Sequence, residues 1–514
     1  MATSLKTQAG LLAAGRAIGQ VLNALVSFVA ARQLLQEDFG TFRQIYLLFA
    51  TLLLITDLGQ VESLYYFLPR HPNQAKRLLW RSFNIIAAVQ LAVVVLLVLY
   101  RGELAAQFKN PQLAELSLLF ALFLTFNVCS RPWEVYLVAR QRSAAASLVS
   151  ALFEIAKAGS LLFFLFVRPS VHLMMWALVV VSGLKLVGFL TFMANEPRDE
   201  AEELVPFRRV MAYSSALWLP GAVNVVANQA HQFLVSFSFS PEEFAVYSVA
   251  CFQLPMLGVL TTSVIEVMLV RITAARARNQ QEEVVRVWNA ATSQSMLFFI
   301  PLVSVLAALS RPLLTVLFTK RFASAAPLFA FLTLSLPLTA IFTNNVLRAY
   351  GAMREYTAFY FLRLALSLGL GWLGIHFYGM WGAAISSVLT LYLVTLLQLR
   401  TVARLLNVSM GRVLPWGMLG RLLFASLLAA FPAILCANFI SNAVLAVFTG
   451  GALFAVTCAA VLLKLRVISR EQITEVATRT GTIAARVFLK ARGKQAGETM
   501  ADNVSSAVSA KTCK

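Results

Sequence analysis

Ionisable side chains interrupt apolar segments of this chain that are otherwise long enough to cross a lipid bilayer. The cations at such positions are Arg16, Arg43, Arg131, Lys157, Lys185 and Arg363, and the acids are Asp57, Glu62, Glu134, Glu154 and Glu266. An ionisable group at the bilayer centre costs at least about 2.5 kcal/mol, so such groups usually face a polar interior and serve a substrate or ion pathway. The excess of cations predicts an electropositive cavity that attracts phosphate or carboxylate groups and repels cationic drugs.

These residues divide into predicted roles. Arginine suits bidentate phosphate contacts, and an acid in the same cavity can take up a proton or adjust its charge. The predicted substrate-binding cations are Arg16, Arg43, Arg131, Lys157 and Arg363. The predicted coupling acids are Asp57, Glu62 and Glu154. A polar face is predicted from Asn224, Asn228 and His231, which share one side of a helix by their spacing.

Structural roles compete with these assignments. Arg131 with Glu134, and Glu154 with Lys157, are spaced to form local pairs that only neutralise each other. Three other groups, Arg43, Lys185 and Glu266, lie near predicted span ends and could extend to the headgroups. Asp57 has no cation near it in the sequence, so we expect a distant partner or a bound proton.

The composition identifies the solvent of this chain as lipid. Hydrophobic residues make up 59% of its 514 residues and charged residues only 13%. About 14 spans of roughly 20 residues fit this length and leave no room for a large soluble domain. The second span is predicted over residues 41–67, and a short connection is predicted between residues 376 and 379. The fold class is therefore an all-α polytopic membrane protein.

The net charge of +20 follows the distribution expected of a membrane protein rather than a nucleic-acid-binding protein. Lysine and arginine concentrate in alternate loops, which places those loops and both termini in the cytoplasm. No GxxxxGK[ST], HExxH or GxSxG motif occurs, and the cysteines have no metal-binding spacing. We therefore expect no cofactor, no metal and no enzymatic activity, and no nucleic acid as a partner.

An internal repeat predicts two related halves. Glu37-Asp38-Phe39-Gly40-Thr41-Phe42 and Glu242-Glu243-Phe244-Ala245-Val246-Tyr247 occupy equivalent places between spans. Parallel repeats of this kind are related by an axis along the membrane normal. The predicted units are a six-helix lobe over 1–194, a cytoplasmic hinge over 195–209, a second six-helix lobe over 210–400, a peripheral helix pair over 401–463 and a basic cytoplasmic tail over 464–514.

The opening third of the chain resembles a known family. The first span ends in Ala30-Ala31-Arg32-Gln33-Leu34-Leu35, the DFG-aromatic turn at 38–42 follows, and Asp57-Leu58-Gly59 lies in the second span. This pattern resembles the polysaccharide transporter, or O-antigen flippase, branch of the multidrug/oligosaccharidyl-lipid/polysaccharide (MOP) exporter superfamily. The motif match covers about residues 30–60, and the overall layout is similar over about 1–463. Gln60-Val61-Glu62-Ser63 departs from the more apolar run that is common there.

The resemblance implies a flippase in the bacterial inner membrane. Such a protein would move an undecaprenyl-diphosphate-linked oligosaccharide for surface polysaccharide biosynthesis, by alternating access of two lobes driven by an ion gradient or the membrane potential. The expected partners are this substrate, membrane lipids and polysaccharide assembly proteins. Two alternatives remain open: a multidrug or cation antiporter of the same superfamily, and a membrane polysaccharide polymerase or ligase.

Overall fold

Every regular element in the described part of the chain is helical, which confirms the all-α fold class. The computed structural model describes residues 5–197, 205–254 and 257–467. Most of the predicted tail and the central part of the predicted hinge lie outside these residues. Within them, 10 helices are long and apolar enough to cross a membrane, or 11 if the bent pair Lys320–Thr333 and Leu336–Ala349 forms one span. The chain is a multi-pass membrane protein, but a count of 14 spans is not confirmed.

The first half of the chain forms eight helices. They are α1 (Leu5–Gln33), α2 (Gln36–Ile55), α3 (Gln60–Arg70), α4 (Ala75–Leu99), α5 (Arg101–Gln107), α6 (Gln112–Ala139), α7 (Ser143–Val167) and α8 (Val171–Asn195). Here α1 packs against α7, while α6 packs against α4, α7 and α8. The predicted second span is in fact broken, because Leu58 and Gly59 have φ angles of 48° and 68° and interrupt the helix between α2 and α3.

The second half contains the remaining helices. They are α9 (Phe207–Ser238), α10 (Pro241–Ala250), α11 (Leu257–Ala277), α12 (Gln281–Ala308), α13 (Ser310–Phe318), α14 (Ala326–Thr333), α15 (Leu336–Thr339), α16 (Thr343–Ala349), α17 (Met353–Leu405), α18 (Met410–Val413), α19 (Trp416–Phe439) and α20 (Ala443–Lys464). Here α9 packs along α17, and α19 packs between α12 and α20. A capping box formed by Ser240 and Glu243 begins α10, because it satisfies backbone N–H groups at the helix start.

The longest helix, α17, folds back on itself. Its 53 residues would extend about 80 Å if straight, far more than the roughly 30 Å of a hydrocarbon core. Gly379 has φ 56° and ψ −136° and interrupts the helix at the connection predicted between residues 376 and 379. The two arms then approach closely, since a Cβ on Gly382 would lie 1.7 Å from the carbonyl oxygen of Gly374.

The two halves meet along α2 and α3 on one side and α9 and α10 on the other. We call the face that contains the α1–α2 and α9–α10 junctions the outer face, and the opposite one the inner face, following the predicted orientation. A Cβ on Gly40 would lie 1.9 Å from the carbonyl oxygen of Pro241, so the two copies of the repeat cross in direct backbone contact. The boundaries of the predicted lobes stay a prediction.

Cationic side chains hold the halves together beside this crossing. Arg321 donates to the carbonyl oxygens of Ala31 at 3.0 Å and Leu34 at 3.2 Å, at the carboxyl end of α1. Lys109 donates to the carbonyl oxygen of Ser238 at 2.6 Å, at the end of α9. The final carbonyls of a helix have no partner within it, and they attract cations. We call the Gly40–Pro241 crossing and these bonds the outer clasp.

Candidate functional site

Asp57 and Arg131 form an ion pair at the break in the second span. The Oδ2 atom of Asp57 lies 2.6 Å from Nη1 of Arg131, and its Oδ1 atom accepts the backbone N–H of Gly59 at 2.9 Å. Arg131 also donates to the carbonyl oxygen of Leu53 at 3.2 Å, a group that the break leaves available. The distant partner expected for Asp57 is therefore Arg131. The local pairing of Arg131 with Glu134 is wrong.

The break also contacts α9 in the other half. Trp218 donates its indole N–H to the carbonyl oxygen of Ile55 at 2.9 Å. A Cβ on Gly59 would lie 2.7 Å from the carbonyl oxygen of Ser214, so this position requires glycine for space as well as for its positive φ. The Asp57–Arg131 pair thus stabilises a bend that lies directly at the contact between the halves.

Two further ion pairs join ionisable residues that were predicted within spans of the first half. Lys157 is 2.7 Å from Glu154, as its spacing predicts, and Asn23 of α1 donates to the same carboxylate at 3.0 Å. Lys185 is 2.7 Å from Glu134, and its side chain is only 8% exposed. Lys185 therefore pairs with a half-buried acid on α6 and is not free to extend to the headgroups. The ring of Phe153 lies 5.5 Å from the Lys157 ammonium and 4.3 Å from the Lys185 ammonium.

Arg43 and Arg363 differ from these cations because neither has an acidic partner among the described residues. The guanidinium of Arg43, on α2, lies within electrostatic range of Tyr46 and Cys251. Arg363, on α17, donates to the side-chain oxygen of Asn224 at 3.3 Å. Among the described cations that were predicted within spans, these two, one from each half, have no carboxylate that neutralises their charge.

The predicted polar face of α9 lies beside Arg363. Asn228 donates to Asn224 at 3.3 Å, and Nδ1 of His231 lies 2.8 Å from the hydroxyl oxygen of Tyr247. His231 also interacts electrostatically with Arg363. Asn224 and Asn228 therefore lie on one helix face, as their spacing predicts, and Tyr247 is the hydrogen-bond partner of His231.

Electrostatic interactions relate polar groups of the two halves, and the hydrogen bond between His231 and Tyr247 lies among them. On one side, Tyr46 interacts electrostatically with both Glu154 and Arg43. On the other, Cys251 interacts with Arg43 and with Tyr247, which reaches His231. We call this set the central polar site; it comprises Asn23, Arg43, Tyr46, Glu154, Lys157, Asn224, His231, Tyr247, Cys251 and Arg363.

Other predicted site residues lie outside the central polar site or have side chains that the structure does not describe. The side chain of Arg16 is outside the described residues. Glu62, on α3, is exposed and acts electrostatically on Asp57. Four members of the central polar site were not predicted: Asn23, Tyr46, Tyr247 and Cys251. A signal existed only for Tyr247, the terminal aromatic residue of the second repeat copy. No group of three potential metal ligands occurs in the part of the chain that the structure describes.

Comparisons with known proteins agree with this architecture. A family model described as "Polysaccharide biosynthesis protein" matches residues 29–327. No curated protein matches the sequence. The fold is similar to the lipid II flippase MurJ in an inward closed conformation, with a TM-score of 0.67, 16% identity, and coverage of 88% of this chain and 99% of that chain.

Two transporters of the MOP superfamily also share the fold. An inward-facing multidrug resistance transporter of the MATE family aligns with a TM-score of 0.63 and 13% identity, over 76% of this chain and 94% of that chain. A MOP transporter from Pyrococcus furiosus aligns with a TM-score of 0.56 and 14% identity, over 79% of this chain and 97% of that chain. At these identities the likeness establishes the fold.

Proposed function

The chain belongs to the polysaccharide biosynthesis protein family, and from this premise we propose that it is a flippase for a lipid-linked oligosaccharide. The family match and the MOP fold confirm the resemblance that the sequence predicted. The substrate we propose is an undecaprenyl-diphosphate-linked oligosaccharide, moved across the bacterial inner membrane with both termini in the cytoplasm. MurJ, the flippase of similar fold, is described as acting on lipid II.

The observation that carries this proposal is the charge of the central polar site. The Asp57–Arg131, Glu154–Lys157 and Glu134–Lys185 pairs neutralise three cations. Arg43 and Arg363 have no described acid, so the site keeps an excess of positive charge contributed by both halves. A diphosphate is the part of the proposed substrate that such a site would bind, because guanidinium groups form paired, charge-assisted bonds to phosphate oxygens.

Of the three predicted coupling acids, Glu154 is best placed to respond to the substrate. It neutralises Lys157, accepts from Asn23 and interacts with Tyr46, so it lies inside the central polar site. A phosphate that binds Lys157 would displace the Glu154 carboxylate from its cation, which favours protonation of that carboxylate. Asp57 is instead held by Arg131 and the Gly59 N–H, and we propose that it maintains the bend.

The test is transport of a lipid-linked oligosaccharide in reconstituted vesicles, measured as the fraction that a membrane-impermeant glycosidase can cleave. A hydrogen bond to a charged group contributes about 1.5–3 kcal/mol, so Arg43→Gln and Arg363→Gln should each weaken apparent affinity by about 10-fold to 150-fold. Arg311→Gln, an exposed cation on the outer face, is the control. Unchanged transport in both Arg43→Gln and Arg363→Gln would refute the assignment of the binding site.

A second measurement tests the role of Glu154. Glu154→Gln leaves Lys157 without its competitor, so substrate should bind more tightly and the dependence of binding on pH should decrease. Glu134→Gln is a matched control, because it removes the acid of the neighbouring Lys185 pair outside the central polar site. Equal effects of the two variants would argue against exchange at Glu154 while leaving the proposal of a flippase intact.

The rival function in the same superfamily is export of cationic drugs. It requires net negative charge at the central polar site, whereas Arg43 and Arg363 give this site the opposite sign. Proteoliposomes should therefore show no uptake of a cationic dye that competes with the lipid-linked oligosaccharide. Dye transport that is lost in Glu154→Gln and retained in Arg43→Gln would favour the drug exporter.

A further inference from the structure

The inner-face segment from the end of α17 to the start of α19 is strongly basic. Residues 400–421 contain four arginines, at positions 400, 404, 412 and 421, and no aspartate or glutamate. All four side chains are exposed. The general accumulation of cations in cytoplasmic loops accounts for their number. It does not account for the shape that two of them help to form.

Arg400 and Arg404 line a cleft at the end of α17. The cleft has a volume of about 530 Å³ and is lined by Arg400, Ala403, Arg404, Asn407, Val408, Ser409 and Met410. Residues four apart share a helix face, so both guanidinium groups lie on the same side. This cleft is separate from the central polar site, since none of its lining residues belongs to that site.

An ordered turn after α17 supplies the remaining lining of the cleft. Asn407 has φ 54°, which reverses the chain after α17. The N–H of Asn407 donates to the carbonyl oxygen of Arg404 at 3.1 Å, and the N–H of Val408 donates to that of Ala403 at 3.0 Å. These bonds satisfy the final carbonyls of the helix and hold Ser409 beside the arginines.

Both arginines are available to a ligand. Neither forms an ion pair or a side-chain hydrogen bond with any residue that the structure describes, and no lining residue is acidic. The hydroxyl of Ser409 and the amide of Asn407 supply further donors at the cleft. Two adjacent guanidinium groups with neutral donors and no competing carboxylate are a suitable arrangement for the oxygens of a phosphate group.

The position of the cleft relative to the bilayer suggests the source of that phosphate. Trp416, at the start of α19, is 49% exposed and donates its indole N–H to the carbonyl oxygen of Met410 at 3.0 Å. Exposed tryptophans concentrate at the level of lipid headgroups. Basic pockets at this level on the cytoplasmic side bind the headgroups of anionic lipids.

We propose that the cleft between Arg400, Arg404 and Ser409 is a binding site for the phosphate of an anionic molecule, with an inner-leaflet phospholipid headgroup as its natural source. This site is additional to the one proposed for the transported substrate and does not depend on it. An occupied cleft would connect the end of α17 to the bilayer surface.

The test is binding of short-chain lipids to the full-length protein in detergent, followed by native mass spectrometry and thermal unfolding. Short-chain phosphatidylglycerol should bind and raise the unfolding midpoint, whereas phosphatidylcholine of equal chain length should do so much less. Arg400→Gln/Arg404→Gln should weaken phosphatidylglycerol binding at least about tenfold, because two charge-assisted contacts are lost. Inorganic phosphate, added alone, distinguishes a free anion from a lipid as the source.

A matched control removes the same charge elsewhere on the inner face. Arg278→Gln/Arg354→Gln eliminates two exposed arginines and leaves the cleft intact. Arg400→Lys/Arg404→Lys keeps the charge and removes the planar forks, so it should bind with intermediate affinity. Equal weakening in the control and cleft variants, or binding that Arg400→Gln/Arg404→Gln does not alter, would overturn the proposal.

Discussion

Gly40→Ala tests whether the two halves must separate at the outer face. Gly40 lies in the first copy of the repeat, and Pro241 lies at the start of α10, immediately before the second copy. An added Cβ would lie 1.9 Å from the carbonyl oxygen of Pro241 and 2.5 Å from its carbonyl carbon. Both atoms belong to backbone, so no side-chain rotation relieves the clash, and α2 must move away from α10.

The size of this displacement follows from the geometry. Ordinary contact begins at about 3.4 Å, so the crossing must open by about 1.5 Å. The neighbouring hydrogen bonds join Lys109 to Ser238 at 2.6 Å and Arg321 to Leu34 at 3.2 Å. If each half moved as a rigid body, this opening would stretch both bonds beyond hydrogen-bond range. Overpacking costs about 1–3 kcal/mol, which shifts the equilibrium about 5-fold to 150-fold toward a state with a separated outer face.

The assay is a spin-label distance between exposed outer-face positions in the two halves. Tyr100 and Tyr378 are 56% and 72% exposed, and replacing each with cysteine in a background without the native cysteines gives one label per half. Gly40→Ala should increase the fraction of molecules in which the two spin labels lie far apart. Gly102→Ala, on the same face with no atom within 4 Å of the added Cβ, should leave the distribution unchanged. A folded Gly40→Ala protein with an unchanged distribution would refute the reasoning.

Substitutions at the Asp57–Arg131 pair and at Gly382 test the internal architecture by thermal unfolding in detergent. Asp57→Asn or Arg131→Gln alone should destabilise the fold by up to about 3–5 kcal/mol, because each leaves an uncompensated charge. A variant with both substitutions that is no more stable than either single variant would contradict the pairing. Gly382→Ala should lower the midpoint sharply because its Cβ would lie 1.7 Å from the carbonyl oxygen of Gly374, whereas Gly369→Ala, with open space beside it, should have little effect.

The sequence predicted the local features of the site better than its long-range contacts. Glu154 and Lys157 are three residues apart, so helical geometry alone brings them together. Arg131 and Asp57 are separated by 74 residues, and Lys185 and Glu134 by 51. Spacing cannot indicate which acid on another helix a cation will reach. The local alternative for Arg131 therefore failed although its spacing was favourable.

Breaks within spans were predicted unevenly for a related reason. A connection between residues 376 and 379 is predicted because a continuous apolar segment of that length exceeds one bilayer crossing, and Gly379 lies at its end. The break at residues 56–59 occurs inside one span, where hydropathy does not change. Its signal was the Asp-Leu-Gly sequence, in which the Asp57 side chain accepts the N–H two residues later while Gly59 takes a positive φ.

The repeat explains the outer clasp but not the charge of the central polar site. Phe39 and Phe244, at equivalent positions, are 1% and 0% exposed, so the shared aromatic residue serves packing in both halves. The residue after the motif is Arg43 in the first half and Ser248 in the second half. Among the described residues, the Ser248 hydroxyl donates to the carbonyl oxygen of Ala245. The second unneutralised cation, Arg363, comes instead from α17.

This difference bears on the ligand that the site can accept. Had both copies of the motif carried the cation, the two charges would be related by the axis of the repeat and would favour a symmetric ligand. With Arg43 on α2 and Arg363 on α17, the cations approach from non-equivalent helices and have different neighbours, Tyr46 and Cys251 for one and Asn224 and His231 for the other. A diphosphate that joins a lipid at one end to a glycan at the other is asymmetric in the same sense, and so the departure from the repeat supports the substrate proposed for this family member.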